Sequence, residues 1–335
     1  MYEQAKTIQE IITDAKTLVI VQADNPDADS LGSALALEQI LADLGKETHL
    51  YCGVDMPTYL RYMQGWDRID SELPKQFDAS IIVDASTMTL LEKLTASGHQ
   101  GWLAAKPCIV LDHHQTVDNA VPFAMVTIND HERASAGELI WLLGKQLDWP
   151  VSVKAQEFLA SSILGDTQGL TNRLASAETY RILAEFIDNG VDRPALEELR
   201  REYSKMPAAI YRYKADLIKR TELAVDERLA LVTIPQDEIN QYSPLYNPAP
   251  LIQGDMLQIA GVEVAVVLKH YADGKITGAV RCNATAPIGA QLAEHFGGGG
   301  HAQASGFKIT DGRMLDEVKQ ELISTATKLL NGIKK

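Results

Sequence analysis

The stretch TLVIVQADNPDADSLGSALALEQILADLG (17–45) decides the fold. Its first seven residues, TLVIVQA (17–23), are mostly apolar without alternation, which predicts a strand buried on both faces. From Leu31 to Gly45 the apolar residues fall at 31, 35, 37, 40, 41 and 44, a helical spacing, and Gly45 supplies the stop. The intervening NPDADS (25–30) is a polar loop carrying Asp27 and Asp29.

The pattern repeats downstream. ETHLYCG (47–53), ASIIVDAS (79–86) and PCIVLDHH (107–114) are three more continuous apolar strands, and AGELIWLLGKQL (136–147) and VKAQEFLASSILGDT (153–167) are helices. Continuous apolar strands separated by helices predict an α/β fold, a parallel sheet with helices on both faces. The next segment differs. Residues 191–220 hold eight basic residues against five acids, a local charge of +3, and read as a helix or helix pair broken near Pro207. Tyr203, Tyr211 and Tyr213 in it could stack on bases, but a connector packed on its neighbours through tyrosines is the preferred reading. Beyond it, residues 228–234, 261–271 and 275–283 read as strands, and 287–296 and 316–333 as helices. The expected organisation is a catalytic domain over 1–190, a helical linker over 191–222 and a smaller α/β domain over 223–335.

Composition limits the function. The chain has 335 residues, 46% hydrophobic and 23% charged, which fits two globular domains and excludes a disordered or fibrous chain. Its 31 Lys+Arg against 45 Asp+Glu give a net charge of −14, which disfavours coating of long duplex nucleic acid. Cys52, Cys108 and Cys282 are too far apart for a disulfide framework or a metal-ligand spacing. The N-terminal MYEQAKTIQEIITDAK has no continuous apolar stretch, and no run approaches the ~20 residues that span a bilayer. A soluble, cytoplasmic protein with no membrane partner is expected.

The chemistry gathers where strands end. Asp27 and Asp29 follow the first strand, Asp84 ends the one at 79–83, and Asp112, His113 and His114 end the one at 108–111. Asp166 closes an apolar helical run in ILGDTQG (163–169). In an open parallel sheet ligands bind outside the carboxyl ends of the strands. Each residue alone has a plain explanation: an Asp before a helix, such as Asp29, ordinarily caps it. Together, five carboxylates would repel unless cations neutralise them. Asp and His without Cys suit Mn²⁺ or Mg²⁺, and a two-metal centre of that kind clamps the oxygens of a phosphoryl transfer. In the second domain, FGGGGHAQASGF (296–307) suggests a backbone cradle for anions at a helix start, with His301 as a further donor.

These motifs resemble the DHH/DHHA1 phosphoesterases, and within them the nanoRNase and pAp-phosphatase branch. Asp112-His113-His114 is the name-giving triplet, NPDADSLGSALAL (25–37) the first motif, Asp84 the second, Asp166 the fourth, and GGGGHAQASG (297–306) the DHHA1 signature. The resemblance implies a binuclear Mn²⁺ site, with Mg²⁺ an alternative. Asp29, Asp84, His113 and Asp166 would hold one ion, Asp27 and Asp84 the other, with His114 facing the scissile phosphate. Gly298, Gly299, Gly300, His301 and Arg281 would grip the terminal nucleotide. The implied substrates are short single-stranded RNA or dinucleotides, and pAp; family members often form homodimers. Cyclic-dinucleotide cleavage, RecJ-like exonuclease action on single-stranded DNA and a degenerate nucleotide-binding protein are the alternatives, the RecJ-like one disfavoured because 335 residues leave no room for an additional nucleic-acid-binding domain. One position departs: the family carries His four residues before the first Asp, where this chain has Ala23. Asp24 and Gln22 are the nearest substitutes, and weaker binding of one ion is the expected consequence.

Overall fold

A computed structural model describes residues 1–114, 119–243 and 246–333, and the chain divides into two units, Met1–Lys205 and Met206–Lys335. The first unit runs α1 (Ala5–Asp14), β1 (Thr17–Val21), α2 (Ala28–Asp43), β2 (Glu47–Tyr51), β3 (Ile69–Asp70), β4 (Ala79–Val83), α3 (Glu92–Ala96) and α4 (Gln100–Ala104). It continues with β5 (Cys108–Asp112), β6 (Val126–Asn129), α5 (Ala136–Gln146), α6 (Val153–Asp166), α7 (Ala177–Asp188) and α8 (Arg193–Tyr203).

The strands form one parallel sheet in the order β3-β2-β1-β4-β5-β6. Both faces are covered, as the unalternating apolar runs require. Leu18 and Ile20 of β1 pack into the core with α2, α5 and α6, while Val19 and Val21 pack on the other face with Leu94 of α3 and Leu103 of α4. The order reverses between β1 and β4, so their carboxyl ends flank the crevice in which doubly wound sheets bind ligands.

Helices α2 and α6 pack together through small residues. A Cβ on Gly32 would stand 2.6 Å from the carbonyl oxygen of Phe158, and one on Gly165 would stand 2.6 Å from the Cβ of Ala28. This close crossing delivers Asp166, the last residue of α6, to the sheet edge although no strand carries it.

The second unit runs α9 (Ala208–Lys219), β7 (Glu222–Ala224), β8 (Leu229–Pro235), α10 (Gln236–Tyr242), α11 (Pro248–Met256) and β9 (Val264–His270), then β10 (Ile276–Cys282), α12 (Gly289–His295), β11 (Gly299–Gly300), β12 (Ala304–Ile309) and α13 (Leu315–Gly332). Its mixed sheet has the order β11-β12-β10-β9-β8-β7, with β8 and β9 parallel and the other pairs antiparallel. The segment 191–222 is therefore not a separate linker. Helix α8 belongs to the first unit, and α9 buries Ile210, Tyr213 and Leu217 in a core of the second. Tyr213 stacks on Tyr242, ring centroids 3.9 Å apart, and is not free for a base. Among the described residues no helix is long and apolar enough to cross a membrane.

Gly32→Ala should force α2 and α6 apart and cost about 1–3 kcal/mol, read as a lower midpoint of thermal denaturation. An unchanged midpoint would mean that the two helices separate without loss.

Candidate metal centre

The local chemistry begins at the start of α2. The helix opens at Ala28, ahead of the apolar spacing, so its cap is Asp27 and not Asp29. Asp27 Oδ1 accepts from the backbone N–H of Asp29 (2.9 Å) and Ser30 (3.0 Å), and Ser30 Oγ accepts from Asp27 N–H (3.1 Å). Asp29, released from capping, is fully buried. Its carboxylate accepts from the N–H groups of Ala136 (2.7 Å) and Gly137 (3.2 Å) at the start of α5, and from Ser162 Oγ (2.6 Å) and Ser33 Oγ (2.9 Å). Burial pushes its pKa up, but His113 and these donors outweigh burial and hold it below the ordinary carboxylate range.

Three further acids approach it. Asp84 follows β4 in the left-handed region, φ 56°, and burial together with the Asp29 charge lifts its pKa well above the usual value. Asp166 is raised mainly by burial, and Asp27 is pushed up to about 6 by burial and by Asp29. At their centre lies His113. Its Nε2 stands 3.0 Å from Asp166 Oδ2, 3.3 Å from Asp29 Oδ2 and 3.5 Å from Asp84 Oδ1.

The other ring nitrogen sets the tautomer. His113 Nδ1 lies 3.3 Å from the carbonyl oxygen of Arg133, to which it can only donate. In the neutral ring Nε2 then turns a lone pair toward three carboxylates, and neither Nε2 nor Asp84 Oδ1, both buried, has an aligned hydrogen-bond partner. Burial lowers the imidazole's basicity, yet the three acids outweigh it and lift its pKa far above the ordinary value. A divalent cation would satisfy every one of these groups at once. Ligand atoms of Asp29, His113 and Asp166, and likewise of Asp84, His113 and His114, all fall within 4.8 Å of one another. The residues present thus fit a metal.

Asp112 does something else. Its Oδ1 accepts from His113 N–H (2.8 Å) and His114 Nδ1 (2.8 Å), and its Oδ2 accepts from the Ser86 hydroxyl. Burial acts against the charged form, but these donors bring Asp112 down to about 2. It orients the two histidines. His114 is half-exposed, and its bond to Asp112 raises its pKa.

Asp27 stands beside the cluster rather than in either ligand set. Ala23 is buried at the end of β1 and offers no ligand. Asp24 Oδ2 accepts from Lys93 N–H (2.7 Å), while its buried Oδ1 has no hydrogen-bond partner. Gln22 is wholly buried with neither amide atom partnered. The donors to Asp29 from α5 and α6, and the Arg133 carbonyl, escaped the sequence reading because they come from distant segments; the small, capping-type run in RASAGE (133–138) was their one local sign.

In the second unit the glycine run is not a cradle at a helix start. It ends α12: the Gly297 and Gly298 N–H groups return to Glu294 and Ala293 carbonyls, with Gly297 at φ 74°. Gly299 and Gly300 then form β11, and His301 opens the turn into β12, its N–H donating to Ala304 O (2.8 Å). A Cβ on Gly298 would lie 2.2 Å from Gly306 O, so close backbone pairing is what requires glycine there. Arg281 pairs in register with Ala304, which brings it to the same end of the sheet as His301; both are exposed.

The fold and this cluster define a metal-binding phosphoesterase of the DHH class, and comparison with known proteins agrees. Residues 17–163 match the DHH family, N-terminal domain, and residues 249–331 match the DHHA1 domain. The chain belongs to the DHH family of phosphoesterases. It is 23% identical over 310 residues to the bifunctional oligoribonuclease and PAP phosphatase NrnA of Bacillus subtilis, covering 91% of this chain and 93% of that one. A probable NrnA of the same description from Streptococcus mutans is 25% identical over 320 residues, 95% of this chain and 97% of that one. Among solved structures, an exopolyphosphatase-related protein from Bacteroides fragilis shares the fold with a TM-score of 0.82 at 22% identity, covering 98% of this chain and 97% of that one.

Adding Mn²⁺ or Mg²⁺ should raise the thermal midpoint of the full chain, and a chelator should reverse the gain. His113→Ala should lose the increment. A midpoint indifferent to metal would mean that the His113 cluster is not a cation site.

Proposed function

We propose that this chain is a manganese-dependent phosphodiesterase that hydrolyses very short RNA or dinucleotides to mononucleotides and also acts on pAp. The observation that carries the reading is the His113 nitrogen among three carboxylates at the sheet's switch point, in a chain whose relatives over nine-tenths of its length are named as oligoribonuclease and PAP phosphatase.

Asp29, Asp84, His113 and Asp166 would hold one ion, and Asp27 with Asp84 a second. When bound, such ions act as Lewis acids toward a phosphoryl group. With Nδ1 tied to Asp112, the His114 Nε2 is the nitrogen left to donate to a phosphate oxygen, and charge that develops there is stabilised by the imidazolium. Arg281 and His301, exposed at the same end of the second unit's sheet, would take the terminal phosphate. Oxygen-rich ligation with one imidazole and no thiolate favours Mn²⁺ or Mg²⁺ over structural zinc. The net charge of −14 favours a short substrate, since most of the surface repels a long polyanion. Three free, buried thiols are in keeping with a reducing compartment such as the cytoplasm.

Turnover of labelled RNA, from dimers to about two dozen nucleotides, and of pAp with Mn²⁺ tests the proposal. Mononucleotide release is expected, fastest from the shortest RNA. Asp84→Ala should slow it by at least about 10³-fold, the upper scale for losing a principal electrostatic group. No release from any substrate would end the reading, and a variant with full rate would mean that the site lies elsewhere.

Ala23 leaves the ion at Asp27 with fewer ligands than its neighbour. Calorimetric titration with Mn²⁺ should therefore resolve one tight and one weak site, and two equally tight sites would remove this argument.

A further inference from the structure

We propose that Arg133 is a positioning residue of the metal centre: its guanidinium, held among three carboxylates, fixes the backbone carbonyl that orients His113. The proposal rests on the reading of the His113 cluster as a cation site and deepens it, because it names the groups behind the ligands that set how tightly the ion is held.

Residues 133–138 serve the centre twice through their backbone. The Arg133 carbonyl accepts from His113 Nδ1 (3.3 Å), and the N–H groups of Ala136 and Gly137 donate to Asp29. A carbonyl in a loop has no fixed direction of its own, so something must aim it. Here the chain between β6 and α5 turns at Arg133, whose N–H donates to Asp130 O (3.0 Å), while Asp130 N–H donates to Asp112 O (3.0 Å) at the end of β5. The side chain completes the hold. Arg133 Nε lies 3.1 Å from Asp130 Oδ2, and Nη1 lies 2.7 Å from Glu178 Oε2 in α7 and 3.5 Å from Glu138 Oε1 in α5. The guanidinium thus ties the loop, α5 and α7 together at the residue whose carbonyl meets His113.

Glu138 makes this more than a surface ion pair. Its side chain is fully buried, and its Oε2 accepts from Thr179 Oγ1 (2.7 Å). A buried carboxylate is costly without a cation beside it, so Glu138 holds Arg133 in place as firmly as Arg133 holds Glu138. Asp130 Oδ2 is fixed in turn by the Tyr2 hydroxyl (3.0 Å). Without the guanidinium, the carbonyl of residue 133 loses its direction. The His113 ring then loses the acceptor that keeps Nε2 turned to the carboxylates.

Calorimetric titration of the full chain with Mn²⁺ provides the test. Arg133→Met alone would strand a charge on Glu138, so it is combined with Glu138→Gln, which removes that charge and still accepts from Thr179. The double variant should keep a folded circular dichroism spectrum and bind Mn²⁺ at the tight site about ten- to a hundredfold more weakly, the scale for losing a partner behind a ligating histidine. Arg133→Lys keeps one charge without the planar fork that meets several acids, so its affinity should fall between, and it carries the comparison if the double variant does not fold. In the metal-free chain, nitrogen-15 NMR should show the His113 Nδ1–H proton exchanging slowly with water in the wild type and quickly in the double variant. A role confined to folding would lower the thermal midpoint and move neither readout. Wild-type Mn²⁺ affinity in the folded variants would overturn the proposal while the cation site stands. A wild type that binds no Mn²⁺ would remove the cation site itself, and the proposal with it.

Discussion

A fully buried carboxylate must either lose its charge or be surrounded by donors, and Asp29 is surrounded. Its partners come from three helices: the first amides of α5, Ser162 of α6 and Ser33 of its own α2. Holding one anion in this way fixes how those helices approach the sheet. The amide end of α5 must point inward, and α2 and α6 must cross closely enough for Ser162 to reach, which Gly32 and Gly165 permit. The same crossing carries Asp166 to within 3.0 Å of His113. Packing and chemistry are thus one constraint seen from two sides: the small residues that let the helices touch also assemble the ligand set.

What could be read from the sequence follows from range. The strands at 17–23, 79–86 and 107–114 and the helix after Leu31 depend on local periodicity, and acids at strand ends mark a sheet edge whichever strands neighbour each other. The errors lie where a residue's role depends on a distant partner. Asp29 reads as a cap because the apolar spacing begins at Leu31, whereas Ala28–Ser30 are already helical beside α6. The glycines at 297–300 read as an anion cradle, yet their conformation answers to β12, whose residues 304–306 the backbone must approach closely. The basic segment 191–220 reads as one connector because charge dominates it. The apolar face Ile210, Tyr213 and Leu217 commits its second half to the core of the second unit.

The centre also shows why residue type alone does not assign a role. Asp84 and Asp112 both sit at the carboxyl ends of adjacent strands, both are buried, and both touch a histidine of the same triplet. Their surroundings drive them apart. Asp112 receives backbone, hydroxyl and imidazole donors and is stabilised as an anion near pKa 2. Burial first, and then the Asp29 charge beside it, hold the proton of Asp84 well beyond the usual range, and its Oδ1 is unpartnered. Asp112 spends its Oδ1 on the two histidines it orients. A carboxylate deprived of donors reaches its charged form only with a cation alongside. Asp112 thus orients His114, whereas the buried Oδ1 of Asp84 has no hydrogen-bond partner and stands 3.5 Å from His113 Nε2.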